Sequence, residues 1–371
     1  MGAEAIKPRV VLVPFPAQGH LTPMLHLAHA IESRGFIPTI VIPDFIHRRI
    51  TKHANLFYSS VEFISLPSKE GDGDNEPKDF ATVVSVMENY MPDRLEKILK
   101  CYRAVTCVVV DLLASWAIPV ATRCSLPVAG FWPAMMATYR IISDIPTLMQ
   151  KRIISESGIP FGDEDTESFT ELKLHSQLPV KLTTKDLPWL VGDSASCKSR
   201  FHFWLKIIDR ARTLKFILNN SFPGEEGNTD KHFQNDTINF PQVLQVGPLL
   251  KYNNSKYTNP TMWEIDSTCI KWLDSQPEKS VIYVSFGSWV GPIGSDRIKE
   301  LALVKVWGIG IKLDYIEQNV VQDCIEKAMD GKEGQEMLKK VVQLRRNVME
   351  GIGSEKARSN LRTFLDYLRK A

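Results

Sequence analysis

A chain of 371 residues with 45 basic and 43 acidic side chains, a formal charge of +2 and 44% apolar residues can bury a sizeable core, in about two or three domains. That balance argues against a nucleic-acid or membrane-surface binder and leaves a small molecule as the expected partner. Six scattered cysteines (Cys101, Cys107, Cys124, Cys197, Cys269, Cys324) include no Cys-x-x-Cys pair, so no metal site or disulfide framework is expected.

Met1 to Lys7 lacks the features of a secretory signal, and no run of about 18 apolar residues marks a membrane span. A reducing, cytoplasmic setting is therefore expected, and the sequons beginning at Asn219, Asn235 and Asn253 read as incidental.

The first element is a buried strand, Val10 to Val13, turning into a helix through Pro14-Phe-Pro-Ala-Gln-Gly-His-Leu-Thr-Pro23. Thr22 is expected to cap that helix, with Pro23 as its first residue and Gly35 closing it. His20 then stands above the carboxyl end of a strand, where open α/β sheets bind ligands. It is the candidate for chemistry, against the alternative of a histidine that merely caps the turn.

Strands follow at Pro38 to Pro43 and Val61 to Leu66, giving the alternation of a parallel sheet. Lys69 to Asp79 is an acidic, glycine-containing stretch expected to form an exposed loop. Phe80 to Lys100 reads as one helix with Val84, Met87, Met91, Leu95 and Leu99 on its apolar face. Cys107 to Val110 is the next buried strand. It ends in Asp111, which could meet His20 along a shared sheet edge, cap the helix expected over Leu112 to Arg123, or do both.

Pro127 to Phe131 is a further strand, followed by Trp132, Pro133 and a helix through about Ile142. Asp144 to Asp209 is broken by prolines and is expected to wall a pocket, with Phe201 to Ala211 helical. Its aromatics Trp189, Phe201, Phe203 and Trp204 either line an apolar site or fill core. Phe216 to Asn219 and Val243 to Val246 read as strands, and Gly247 to Thr261 as a linker.

Beyond it come a short helix, Ile265 to Leu273, and a strong strand, Ser280 to Phe286, running into the glycine-rich Gly287 to Gly294. Such a loop can bring backbone amides to a phosphate, although it lacks the Gly-Lys-Ser/Thr of a P-loop. Gly308 to Gly310 has Leu313 where a dinucleotide fingerprint needs glycine. After one possible strand, Ile309 to Leu313, helices are expected at Glu317 to Met329, Gly334 to Met349 and Ser354 to Lys370. The basic excess of residues 331–371 reads as a solvated face.

Pro14-x-Pro-Ala-Gln-Gly-His-Leu-x-Pro23 resembles the amino-terminal signature of plant UDP-dependent small-molecule glycosyltransferases. The resemblance continues through Val108-Val-Val-Asp111, Phe131-Trp-Pro133, Asp186-Leu-Pro-Trp189, Val246-Gly-Pro248, Cys269-Ile-Lys-Trp-Leu273 and Ser280-Val-Ile-Tyr-Val-Ser-Phe-Gly-Ser288. It implies an α/β chain of two Rossmann-like domains, of GT-B type. Residues 1–247 would bind acceptor, 248–262 would link, 263–353 would bind the nucleotide sugar, and the helix 354–371 would pack back on the first domain.

By the same resemblance His20 is the general base and Asp111 its orienting carboxylate. Gly19 and Trp132 border the acceptor, and Ser285, Gly287 and Ser288 approach the diphosphate. A UDP-sugar is then co-substrate, the partner is a small hydroxylated acceptor, no cofactor is needed, and a monomer is expected.

The resemblance has one gap, between Leu303 and Val306. Family members carry there a long stretch opening with Trp-Ala-Pro-Gln and continuing through His-Cys-Gly-Trp-Asn-Ser to a Glu and an Asp-Gln pair, which hold uracil, diphosphate, ribose and sugar. None of these strings occurs in the chain. The carboxyl-terminal domain is therefore expected to be truncated internally and donor binding impaired. A non-catalytic protein keeping only an acceptor pocket, or an aberrantly spliced or misassigned product, are the alternatives.

Overall fold

The computed structural model describes residues 7–53, 61–68, 80–161, 183–184, 187–190, 192–224, 241–249, 261–262, 266, 268–277, 280–281, 309–311, 317–329, 331–350 and 352–370. Seven strands, β1 (Arg9–Val13), β2 (Ile37–Pro43), β3 (Glu62–Leu66), β4 (Val105–Asp111), β5 (Val128–Trp132), β6 (Phe216–Asn219) and β7 (Gln242–Gln245), form one sheet in the order β3-β2-β1-β4-β5-β6-β7. Every pair is parallel.

The central runs Val10 to Val13, Cys107 to Val110 and Val128 to Trp132 are apolar without interruption because both faces of the sheet are covered. Val11, Val13, Val108 and Val110 point into one core, and Val10, Leu12, Cys107 and Val109 into the other. On the first face lie α3 (Phe80–Tyr90), α4 (Pro92–Cys101), α5 (Ala117–Arg123), α6 (Met136–Ser143), α7 (Ile145–Gln150) and α8 (Ser194–Ala211). The second face carries α1 (Gln18–Glu32) and α2 (Asp44–His53).

The chain adds β2 and β3 on one side of β1, then crosses to add β4 on the other. This reversal opens a crevice at the carboxyl ends of β1 and β4, the usual place for a ligand in an open parallel sheet.

Later in the chain, α9 (Thr268–Asp274), α10 (Gln318–Met329) and α11 (Lys332–Met349) contain no buried side chain. Ile270, Trp272 and Val342 are 55%, 55% and 53% exposed. The last helix, α12 (Ile352–Leu368), behaves otherwise. Its Leu361, Phe364, Leu365 and Leu368 join the core that contains Val10 and Leu12. Phe364 stands edge-on to Phe216, and Asn360 donates from its side chain to the carbonyl of Gln245, 2.8 Å away.

Several elements differ from the sequence expectation. α1 starts at Gln18, with Ala17 in extended conformation before it, rather than at Pro23. Thr22 accepts a hydrogen bond from Gln18 Nε2 at 2.7 Å instead of capping. Pro23 thus lies inside α1, in its second turn, where it leaves the carbonyl of Gly19 without its helical partner; Gly19 is exposed, so water can meet that carbonyl. Gly35 does close the turn, at φ +89°.

The helix expected over Phe80 to Lys100 is two, separated at Met91 with Pro92 opening α4; the apolar stripe continues because Met87, Met91 and Leu95 share one core. Leu112 to Arg123 begins as a 3-10 turn, Leu112–Ala114, before α5. α8 starts seven residues ahead of Phe201, at Ser194, where the Asp193 carboxylate caps it through the amide of Ser196. Residues 309–311, expected to begin a strand, form none; a strand needs a paired neighbour, and no other strand of the C-terminal half falls among the described residues. The acidic stretch Lys69 to Asp79, Asp186, most of the linker, the strand beyond Val281 and the glycine-rich loop lie outside the described residues.

Candidate active site at the strand crossover

β1 and β4 are neighbours with Val13 level with Val110, so the residues following them emerge side by side. Asp111 closes β4 with its side chain fully buried, and His20 stands in the first turn of α1 with its ring 21% exposed. His20 Nδ1 and Asp111 Oδ2 are 2.7 Å apart. The second carboxylate oxygen accepts the amide of Leu113 at 2.9 Å, the bond that closes the 3-10 turn. The cap and the pairing with His20 therefore coexist.

A carboxylate can only accept hydrogen bonds, so the proton of a neutral imidazole sits on Nδ1. Nε2 is left with its lone pair, on a ring that reaches solvent. Because Asp111 has a donor on each oxygen, its charge is compensated although it is buried.

Around this pair runs a series of aromatic rings. Phe15 lies 5.3 Å from the His20 ring and 5.9 Å from Phe80. Phe80 meets Phe203 edge-on at 5.1 Å, Phe203 meets Trp204 at 5.9 Å, and Trp204 meets Trp132 at 6.1 Å. Trp132 ends β5 and is oriented by donation from Nε1 to the carbonyl of Met135 at 3.1 Å. Of the four aromatics with two open readings, Trp189, Phe201 and Phe203 are core, at 0%, 0% and 8% exposure, and Trp204 packs against it half-buried; Phe203 and Trp204 also belong to this series. Gly19 is exposed beside His20, and a Cβ there would meet nothing within 4 Å.

Other perturbed groups have structural explanations. Burial would raise the Glu62 carboxyl, but hydrogen bonds from Arg9, Thr39 and Tyr102 hold it below its ordinary value. That cluster sits at the amino ends of β1, β2 and β3, away from the crossover. Burial pushes the Cys107 thiol up to about 12, which makes it inert. Among the described residues no cluster of His, Cys, Asp or Glu could hold a metal ion, and no helix is long and apolar enough to cross a membrane.

The structure thus brings His20 and Asp111 together, sets Gly19 at the open end of α1, and places Trp132 on the same sheet edge two strands over. Ser285, Gly287 and Ser288 lie outside the described residues. Sequence reasoning assigned no role to Phe15 or Gln18, although both stand inside the Pro14 to Pro23 signature; position in that signature was the available signal. The Phe80 contact joins residues far apart in sequence and had none.

Comparison with known proteins supplies the rest. A family profile named "Glycosyltransferase, N-terminal domain" matches residues 7–66, the span of β1 to β3. UDP-glycosyltransferase 82A1 of Arabidopsis thaliana is 44% identical over 312 residues, covering 80% of this chain and 66% of that protein. Mogroside I-A1 synthase of Siraitia grosvenorii is 27% identical over 315 residues, covering 80% and 58%. The chain spans less than two thirds of the length of these curated relatives. Among solved structures, a Polygonum tinctorium UDP-glucosyltransferase capable of glucosylating indoxyl matches with a TM-score of 0.75 at 18% identity, covering 99% of this chain and 100% of that one. A UDP-glucose: anthocyanidin 3-O-glucosyltransferase in complex with UDP gives 0.76 at 15% identity, covering 99% and 100%. These likenesses show the fold, an α/β architecture of GT-B type.

Proposed function

We propose that this chain is a member of the plant UDP-glycosyltransferase family, to which its relatives point, and that His20 and Asp111 form the acceptor-activating half of an inverting sugar transfer. The donor is a UDP-sugar, glucose first among candidates, and the acceptor a small molecule bearing a hydroxyl or carboxyl group. The 2.7 Å contact between His20 Nδ1 and Asp111 Oδ2 carries this reading.

With Nδ1–H held by the carboxylate, Nε2 takes the proton of the acceptor hydroxyl as that oxygen attacks the anomeric carbon. The carbon–oxygen bond to UDP breaks on the opposite face and the electron pair leaves with the diphosphate. Asp111 stabilises the imidazolium that forms, as in a hydrolase triad. Proton transfer so positioned is worth about 10²- to 10⁴-fold. Gly19 and the aromatic series ending at Trp132 form the wall against which an acceptor lies. Ser285, Gly287 and Ser288 remain the proposed approach to the diphosphate, with turnover impaired because the uracil- and diphosphate-holding strings are missing. Leaving-group stabilisation is usually the largest catalytic contribution.

The test is transfer from UDP-glucose across a panel of phenols and carboxylic acids. Slow transfer that disappears in His20→Ala and falls at least about 100-fold in Asp111→Asn is expected, since Asn would present its N–H₂ to Nδ1 and force the wrong tautomer. Neither binding nor transfer of any acceptor would overturn the reading.

A second reading, a small-molecule-binding protein without turnover, is favoured by one observation: α9, α10 and α11 bury no side chain. Saturable binding of a phenol, with transfer absent at every donor concentration, would select it.

A further inference from the structure

The side chain of Gln18 joins two parts of the chain that no strand pairing connects. Gln18 is the first residue of α1, two positions before His20. Its Nε2 donates to Thr22 Oγ1 at 2.7 Å, and its Oε1 accepts the backbone amide of Met262 at 2.9 Å. Met262 lies 244 residues further on, past the sheet, where the chain runs toward α9. It is only 5% exposed, and its side chain is buried in the same core as Leu21, Val246 and Leu249. The amide that Gln18 satisfies therefore stands at a covered position, where an unmet donor is costly.

We infer that Gln18 is a positioning residue, whose amide pins the chain entering the C-terminal half to the helical turn that carries His20. The two hydrogen bonds use opposite ends of one planar group. Thr22 fixes the amide from below, on the next turn of α1, so that its oxygen faces Met262 with little rotamer freedom left to lose. The consequence is mechanical. Whatever follows Met262 is referred to the first turn of α1, and the side chain that makes the reference is two residues from the base. The pin itself does not depend on the transferase reading; only its effect on turnover does.

The discriminating variants are Gln18→Ala and Gln18→Glu. Alanine removes both bonds. Glutamate keeps both, because its carboxylate accepts from the Met262 amide and from the Thr22 hydroxyl. Hydrogen exchange of the full chain, followed by peptides spanning 261–277 and by peptides from β1 and β4, reads the pin directly. Exchange at the Met262 amide should rise about three- to tenfold in Gln18→Ala and return to the wild-type rate in Gln18→Glu, with β1 and β4 unchanged in all three.

Steady-state kinetics adds the functional arm. In Gln18→Ala the KM for UDP-glucose should rise while the acceptor KM and the pH profile of kcat/KM stay as in wild type. A residue needed only for folding would loosen β1 and β4 together with Met262, and glutamate would not restore one site selectively. Equal exchange at Met262 in the three proteins, or a uniform rise across the sheet in Gln18→Ala, overturns the inference. Wild-type protein that transfers no sugar counts against the transferase reading, while the exchange data still decide the pin.

Discussion

Asp111 shows how a single residue serves chain and chemistry together. One oxygen closes the turn after β4 by accepting from Leu113, and the other faces His20, so any side chain that keeps the cap keeps half the site. His26, two turns along α1 from the N-terminus and 4% exposed, gives a separate test at this scale. Burial, assisted by the nearby His29, lowers its pKa from the ordinary 6.5. A histidine lowered in the folded state contributes stability that is intact above the unfolded value and is lost as pH falls through the folded one. Thermal unfolding should therefore show a midpoint constant above about pH 6.5 and dropping below it, with a shallower acid limb in His26→Gln. An acid limb identical in the two proteins would exclude His26 as its source.

Elements were legible in the sequence wherever hydrophobic periodicity was strong. The buried runs Val10 to Val13 and Cys107 to Val110 announced β1 and β4, and Leu361, Phe364, Leu365 and Leu368 announced the apolar face of α12. Prolines misled in both directions. Pro23 was read as a helix start but sits inside α1, and Pro92, passed over in an apolar stripe, divides α3 from α4. Local pattern does not report how far from a helix start a proline will fall, and that decides whether it opens the helix or interrupts it. The contact between His20 and Asp111 could be anticipated from parallel topology, because both follow strands. The aromatic series could not be, since it depends on how α3 and α8 pack on the sheet.

α12 has a measurable share in that packing. Phe364 is fully buried and meets Phe216 on β6, so Phe364→Ala should cost about 3–5 kcal/mol in denaturant unfolding. A loss below about 1 kcal/mol would mean that α12 contributes little to the stability of the sheet.

For the molecule as a whole, the contrast lies between a sheet covered on both faces and the helices α9, α10 and α11, whose Ile270, Trp272, Leu338 and Val342 remain exposed. On the transferase reading proposed above, a donor half whose described helices α9, α10 and α11 bury no side chain is expected to hold a nucleoside diphosphate only weakly. Isothermal titration of the folded protein with UDP should accordingly show nothing tighter than about 1 mM, roughly −4 kcal/mol. Micromolar binding would instead restore a working donor site, and with it full turnover as the expectation.

The return of α12 to the sheet also bears on how the protein is made. A ribosome delivers β1 first and α12 last among the described elements, yet both belong to one core. While translation proceeds, the flank of β6 and β7 that Phe364 and Asn360 will occupy waits uncovered, and the nascent chain keeps that apolar surface exposed until its final turns emerge. A premature stop codon between Val246 and Leu361 would thus damage the amino-terminal half, whose own strands it leaves fully encoded.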